Sequence, residues 1–243
     1  MSKVHCIVPA RMGSSRFPGK PLVRLCGKEM IVRTLERAAQ SGAFDRIVCA
    51  TDSEKIAEVV RIAGFEALLT GEAATGSDRV AEAARRLNLD LVVNLQGDEP
   101  LVEPEVLRMV AEELEEHPDS WVTVACPLKE SDAKVETVVK VLVEGDFAID
   151  FSRSVNLESD SRWFQHQGIY AYSRASREEF SSLPQSAVEL ERSLEQMRIL
   201  GVRPIRVCRS PFASVSVDIS SDVSVVESIL LQNSSKTSGV DYA

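Results

Sequence analysis

Apolar positions along the first part of the chain follow two rhythms that take turns. Short β-branched runs read as buried strands: Val4-His5-Cys6-Ile7-Val8, Arg46 to Thr51, Glu66 to Leu69, Asp90 to Leu95 and Trp121 to Ala125. Between them the apolar residues recur at helical spacing. Ile31, Leu35, Ala38 and Ala39 predict a helix from near Glu29 to Gly42, and Ser53 stands as the N-cap of a second helix carrying Ile56, Val60 and Ala63. Gly76 and Ser77 open a third with Val80, Ala84 and Leu87 inward, and Pro104 starts a fourth with Leu107, Val110, Ala111 and Leu114 on one face. Strand and helix alternating in this way predict a mostly parallel sheet covered by helices on both faces.

The rhythm changes after residue 128. Val138 to Val143, Phe147 to Phe151 and Phe164 to Tyr172 read as strands with little helix between them. A helix is expected from Val188 to Leu200, with Leu190, Leu194 and Met197 as its stripe. Ile205 to Cys208 and Val215 to Ile219 read as short strands, and Ser220 or Ser221 as the cap of a last helix with Val225, Val226, Ile229 and Leu230. The expectation is one α/β domain over 1–243. Residues 1–128 form the nucleotide-binding half, 129–215 a smaller β-rich lobe for sugar binding and dimerisation, 216–232 a return to the sheet, and 233–243 a flexible tail.

Composition narrows the setting. With 28 Lys and Arg against 37 Asp and Glu, the net charge of −9 argues against nucleic acid as the partner. No apolar run is long enough to cross a membrane. The chain goes directly into a strand with one Lys before it, so no signal peptide is expected. The five cysteines form no Cys-x-x-Cys, and Cys6, Cys49 and Cys126 lie in apolar runs; a reducing, cytoplasmic location is expected.

Against that acidic background the stretch from Pro9 to Pro21 is basic, with Arg11, Arg16 and Lys20 among Gly13, Ser14, Ser15 and Gly19. Bare backbone and cations together suit a polyphosphate. The stretch is neither a Gly-x-Gly-x-x-Gly fingerprint nor a P-loop, because Pro18, Pro21 and Gly27 interrupt it before any helix begins. Ligands of such sheets bind outside the carboxyl ends of the strands. There the fourth strand ends in Asn94-Leu95-Gln96-Gly97-Asp98-Glu99-Pro100, which places Asp98 where a carboxylate holds Mg²⁺ beside a triphosphate. The alternative is a turn acid. Asp218, in the apolar Val217-Asp218-Ile219, is the second candidate ligand, or else a helix cap. Ser77 and Arg79 at a helix start suit a nucleotide, although Ser77 alone reads as a cap. Asp52 reads as structural, as do His5 and His117.

In the second half, Arg153, His166 and Tyr170 stand among apolar strand residues and suit an anionic, hydroxyl-rich substrate, although a lone His is more often structural. Glu189, Glu195 and Gln196 fall on the expected helix at a spacing that lets them share a face.

Pro9-Ala-Arg-Met-Gly-Ser-Ser-Arg-Phe-Pro-Gly-Lys-Pro-Leu22, Ala50-Thr-Asp52, Asn94-Leu-Gln-Gly-Asp-Glu-Pro100, Phe151-Ser-Arg153, Gly168-Ile-Tyr170 and Leu194-Glu-Gln-Met-Arg198 together resemble the 3-deoxy-manno-octulosonate (Kdo) cytidylyltransferases. The resemblance runs to about Glu227. It implies a nucleotidyltransferase-like fold, a homodimer, Mg²⁺, and the reaction CTP + Kdo → CMP-Kdo + pyrophosphate in lipopolysaccharide biosynthesis. By matching positions it implies Arg11, Arg16 and Lys20 on the triphosphate, and Ala10, Ser77, Arg79 and Gln96 near the cytidine. It places metal on Asp98 and Asp218, with Arg153, His166, Tyr170, Glu189 and Gln196 around the sugar. Arg16, Lys20, Asp98 and Asp218 would be the catalytic set.

The chain departs from the family pattern at Ser216-Val-Asp-Ile-Ser-Ser-Asp222, at Gln165-His-Gln-Gly168 and at Ala187-Val-Glu189, all in the sugar half. An amino-substituted Kdo or another acidic sugar is therefore an alternative substrate, and a non-catalytic nucleotide-binding module a second alternative. A glycosyltransferase is disfavoured because the chain has no Asp-x-Asp.

Overall fold

The computed structural model describes residues 3–13, 17–213 and 215–237. In chain order the first half comprises β1 (Val4–Ala10), β2 (Arg24–Leu25), β3 (Lys28–Glu29), α1 (Met30–Ser41), β4 (Arg46–Thr51), α2 (Glu54–Ile62), β5 (Glu66–Leu69), α3 (Gly76–Arg86), β6 (Leu91–Leu95), α4 (Pro104–Glu116) and β7 (Trp121–Cys126). The second half adds β8 (Lys140–Glu144), β9 (Phe147–Ser152), β10 (Trp163–Ser173), α5 (Arg174–Ser182), α6 (Ala187–Arg192), β11 (Ile205–Arg209) and α7 (Asp222–Thr237).

Nine strands form one sheet in the order β5-β4-β1-β6-β10-β7-β11-β9-β8. The period-2 alternation divides its core between two faces. Cys6, Val8, Val93, Leu95, Val122 and Val124 pack with α1, α2 and α4 on one side. Ile7, Val92, Trp121 and Ala125 pack with Val80, Ala83 and Ala84 of α3 and Phe180 of α5 on the other.

The first half follows the expected alternation, and β1 runs on through Pro9 to Ala10. That is possible because pairing with β6 stops at Ile7 opposite Asn94, while pairing with β4 continues to Ala10 opposite Thr51. The Pro9 carbonyl faces Gly97 beyond the end of β6, so the missing N–H of Pro9 falls where the ladder has already ended.

The second half differs from expectation in three places. Its strands are not a separate lobe. β10 inserts antiparallel between β6 and β7, and β11 lies parallel beside β7. β8 pairs with both β9 and the start of β10, so this end of the sheet curls upon itself. The expected helix from Val188 to Leu200 is broken: α6 stops at Arg192, Ser193 turns left-handed at φ 52°, and a separate 3-10 turn covers Glu195–Arg198. Leu190 is accordingly exposed. Residues 215–219 form no strand; the Val217 N–H donates to the Asp98 carbonyl at 3.0 Å. Before α7 the Asp222 carboxylate accepts from the backbone N–H groups of Asp218 and Ile219 at 2.7 and 3.0 Å.

Candidate active site

Two cavities open side by side where β1, β6 and the curled end of the sheet meet. The smaller, 220 Å³, lies between Ala10, Arg11 and Lys20 on one side and Thr75, Gly76 and Arg79 on the other. The larger, 460 Å³, is walled by residues from β10, from the 193–196 turn and from the 129–139 and 213–222 segments. Gln96 and Asp98 line both, so the end of β6 is the seam between them.

Gly97 sets how closely that seam approaches β1. A Cβ there would lie 2.9 Å from the Pro9 carbonyl oxygen and 3.2 Å from Ile31 Cδ1, so only glycine fits. Asp98 follows, and its Oδ2 accepts from Lys20 Nζ at 2.5 Å. Lys20 Nζ also donates to the Val217 carbonyl at 2.9 Å, while the Val217 N–H donates to Asp98 O. The 217–218 segment, far away in sequence, is thereby fastened beside Asp98, and Asp98 and Asp218 both face the larger cavity.

The two aspartates offer hard oxygen donors on opposite sides of one bonded backbone pair. That suits Mg²⁺, which takes few protein ligands and completes its shell with phosphate and water. Among the described residues the group of three with ligand atoms within 4.8 Å of one another is Glu113, Glu116 and His117, outside both cavities, where Arg206 already pairs with Glu113.

On the nucleotide side the expected residues divide. Ala10, Arg11, Lys20 and Gln96 line the smaller cavity, with Arg11 exposed. Arg79 also lines it, yet its guanidinium is committed to Asp52 at 2.6 Å, Thr70 at 2.5 Å and the Gly71 carbonyl at 3.2 Å. Asp52 is its structural partner. Ser77 does not line the smaller cavity. The cap of α3 is Thr75, in a reciprocal box with Asp78, and the Ser77 hydroxyl donates instead to Glu195 Oε1 at 2.8 Å. Arg16 lies outside the described residues.

On the other side His166, Tyr170 and Gln196 line the larger cavity. The Tyr170 hydroxyl donates to Gln196 Oε1 at 3.2 Å. Thr123 Oγ1 gives its one proton to the Ile169 carbonyl at 2.8 Å, so the His166 Nε2 contact at 2.9 Å makes Nε2–H the donor and leaves Nδ1 as acceptor. Burial pushes the His166 pKa down to about 3, so the ring is neutral at pH 7.

Arg153 and Glu189 are not on the cavity wall. Arg153 spends its guanidinium on the backbone carbonyls of Arg192, Glu136 and Ser193, which braces the wall from behind. Glu189 caps α6 with Ser186 and takes a two-pronged pair from Arg198 at 2.9 and 2.5 Å, both residues buried. Its expected place near the sugar came from the resemblance, and the one continuous helix that would let it share a face with Gln196 is broken by the turn at Ser193.

Several lining residues escaped the sequence reading, among them Lys129, Asp132 and Thr137, which sit in a segment without a periodic signal. Asn94, a fully buried amide in an otherwise apolar strand, was legible in principle by that contrast.

Cavities that meet over one aspartate are what a transfer between two bound substrates requires, and the architecture agrees with a nucleotidyltransferase. The fold is shared with a 4-diphosphocytidyl-2C-methyl-D-erythritol synthase from Anaerococcus prevotii at a TM-score of 0.65 and 13% identity. A solved CMP:2-keto-3-deoxy-manno-octonic acid synthetase complexed with CTP superposes with a TM-score of 0.89 at 33% identity, over 96% of this chain and all of that one. The cytidylyltransferase family model matches residues 5–203. A 3-deoxy-manno-octulosonate cytidylyltransferase from Anaeromyxobacter sp. (strain Fw109-5) is 41% identical, covering 95% of this chain and 98% of its own. Another, from Syntrophobacter fumaroxidans, is 42% identical over 93% of this chain and 96% of its own. The chain belongs to the 3-deoxy-manno-octulosonate cytidylyltransferase family.

Proposed function

We propose that the chain transfers the cytidylyl group of CTP to the anomeric hydroxyl of a 3-deoxy-manno-octulosonate-type sugar acid. The hydroxyl oxygen bonds to the α-phosphorus, the bond to the β,γ-pyrophosphate breaks, and the hydroxyl proton is lost. The observation that carries this reading is the meeting of a cation-rimmed cavity and a larger polar one over Gln96 and Asp98. CTP fills the smaller and the sugar acid the larger, so nucleophile and phosphorus meet at the seam.

Lys20 and Arg11 bind phosphate oxygens, and Lys20 neutralises charge on the departing pyrophosphate. Neutral His166, with Tyr170 and Gln196, orients sugar hydroxyls through hydrogen bonds and adds no charge. Asp98 and Asp218 would hold Mg²⁺, which supplies charge neutralisation at the phosphates and a lower pKa for a nearby hydroxyl. The acidic walls of the larger cavity, Asp98, Glu99, Asp132, Glu195, Asp218 and Asp222 with Lys129 beside them, support a cation entering with an anionic substrate.

A homodimer is part of this reading. Phe147 and Ile149 expose apolar surface on β9, at 39% and 41%, beside the curled end of the sheet. No described helix is long and apolar enough to cross a membrane, and a cytoplasmic setting, where CTP is made, belongs to the proposal.

The test is pyrophosphate release from CTP and Mg²⁺ with Kdo and with its amino-substituted analogue. Turnover with one of them is expected. Silence with both, in a folded sample that binds CTP, refutes the substrate assignment and favours a binding module.

A further inference from the structure

Beneath the seam four polar side chains are joined in a row. Ser77 Oγ donates to Glu195 Oε1 at 2.8 Å, Asn94 Nδ2 donates to Ser77 Oγ at 3.1 Å, and Gln96 Nε2 donates to Asn94 Oδ1 at 3.2 Å. Asn94 and Ser77 are buried, at 0% and 2% exposure, so neither can trade these bonds for water.

The row has one direction, set by its end. Burial raises the Glu195 pKa, while the hydrogen bonds it takes from the Ser77 and Thr75 side chains and the Ser77 backbone N–H favour the carboxylate; as a carboxylate it accepts only, so the Ser77 proton goes to Glu195 and the Ser77 oxygen is left to accept. Asn94 must then turn its NH₂ to Ser77 and its oxygen to Gln96, and Gln96 must turn its NH₂ inward. Every amide orientation follows from the anchor. The Gln96 oxygen is therefore committed outward. It stands over the first turn of α3, where a Cβ on Gly76 would lie 3.1 Å from it, on the wall of the smaller cavity and at the border of the larger.

We propose that Asn94 and Ser77 are positioning residues which, anchored on Glu195, hold the Gln96 amide oxygen at the seam as an acceptor for a substrate hydroxyl. The inference rests on the transfer reaction proposed above. The hydroxyl comes from the ribose of the nucleotide or from the sugar acid. Without the relay the Gln96 amide turns freely, and its oxygen is no longer held ready for the hydroxyl proton.

Steady-state kinetics with CTP and the sugar acid that the wild type turns over test this in Asn94→Leu, Ser77→Ala, the double variant and Ser77→Thr. About a ten-fold rise is expected in one Michaelis constant, as for losing one buried hydrogen bond. A rise for CTP assigns the hydroxyl to the ribose, and a rise for the sugar assigns it to the acceptor. The double variant is no worse than Asn94→Leu alone, because both changes cut one row, and Ser77→Thr, which keeps the hydroxyl, recovers most of the loss. Thermal melts of each variant identify losses that come only from unfolding. Unchanged Michaelis constants, multiplicative losses in the double variant, or losses that merely follow the melting temperature overturn the relay while the reaction stands. Wild-type silence with bound CTP overturns the reaction and the relay with it.

Discussion

Replacing Lys20 by Met removes the group that occupies Asp98. Lys20 Nζ lies 2.5 Å from Asp98 Oδ2, with the two side chains 13% and 27% exposed. A divalent ion that binds Asp98 must displace that ammonium. A hydrogen bond to a charged group contributes about 1.5–3 kcal/mol, and 1.4 kcal/mol is about a factor of ten in affinity. Lys20→Met is therefore expected to tighten nucleotide-free Mn²⁺ binding by about ten- to a hundred-fold, measured by titration calorimetry or by the loss of the free-ion electron paramagnetic resonance signal. Arg11→Met changes the net charge equally but leaves the pair intact, and its exposed charge is screened; it is expected to gain about two-fold. On the proposed reading CTP draws Lys20 onto its phosphates in the wild type, so CTP should tighten the metal and, by reciprocity, the metal should tighten CTP. This coupling should shrink in Lys20→Met. Mn²⁺ should also raise the melting temperature of Lys20→Met more than that of the wild type, because the ion replaces the lost partner of Asp98. Equal Mn²⁺ affinity in Lys20→Met and Arg11→Met would refute the reasoning.

Three further outcomes follow from the same contacts. Gly97→Ala drives a Cβ against the Pro9 carbonyl, where both sides are backbone; a loss of about 1–3 kcal/mol in urea unfolding is expected, and an unaltered midpoint would contradict the close approach. Glu189→Gln breaks a buried pair with Arg198, with both side chains 5% exposed or less; it should cost about 3–5 kcal/mol of stability while the folded fraction keeps its Michaelis constant for the sugar, the reverse of what a sugar ligand would show. His166 is held near pKa 3 in the fold, below its ordinary 6.5. As pH falls below about 6.5 the unfolded chain takes up a proton that the fold refuses, so this group's contribution is complete above that pH and declines toward pH 3. His166→Gln should flatten the acid limb of stability against pH by up to about 1.4 kcal/mol per pH unit, and an unchanged slope would show that the ring titrates normally.

The alternation of strand and helix up to Cys126 was legible because each element there has a local cause. A buried strand needs a β-branched run, and a helix laid on it needs a stripe at 3.6 spacing. The loop cations and Asp98 were legible for a related reason, since charge next to a strand end stands out from an apolar pattern. Lys20, Arg11, Gln96, His166, Tyr170 and Gln196 line the two cavities.

What the chain does after Cys126 depends on distant partners. Neither the insertion of β10 between β6 and β7 nor the return of β8 to β10 leaves a trace in periodicity, because a strand reads alike whichever neighbour it pairs with. The left-handed Ser193 splits an apparently regular helix, and Arg198 beyond the turn pairs with Glu189 before it. Sequence alone determined which residues carry charge and which segments are strands or helices. Tertiary structure alone decided which of those charges are spent on each other, because a guanidinium such as that of Arg153 or Arg79 binds whatever acceptor the fold brings within 3 Å, and nothing local to it says which.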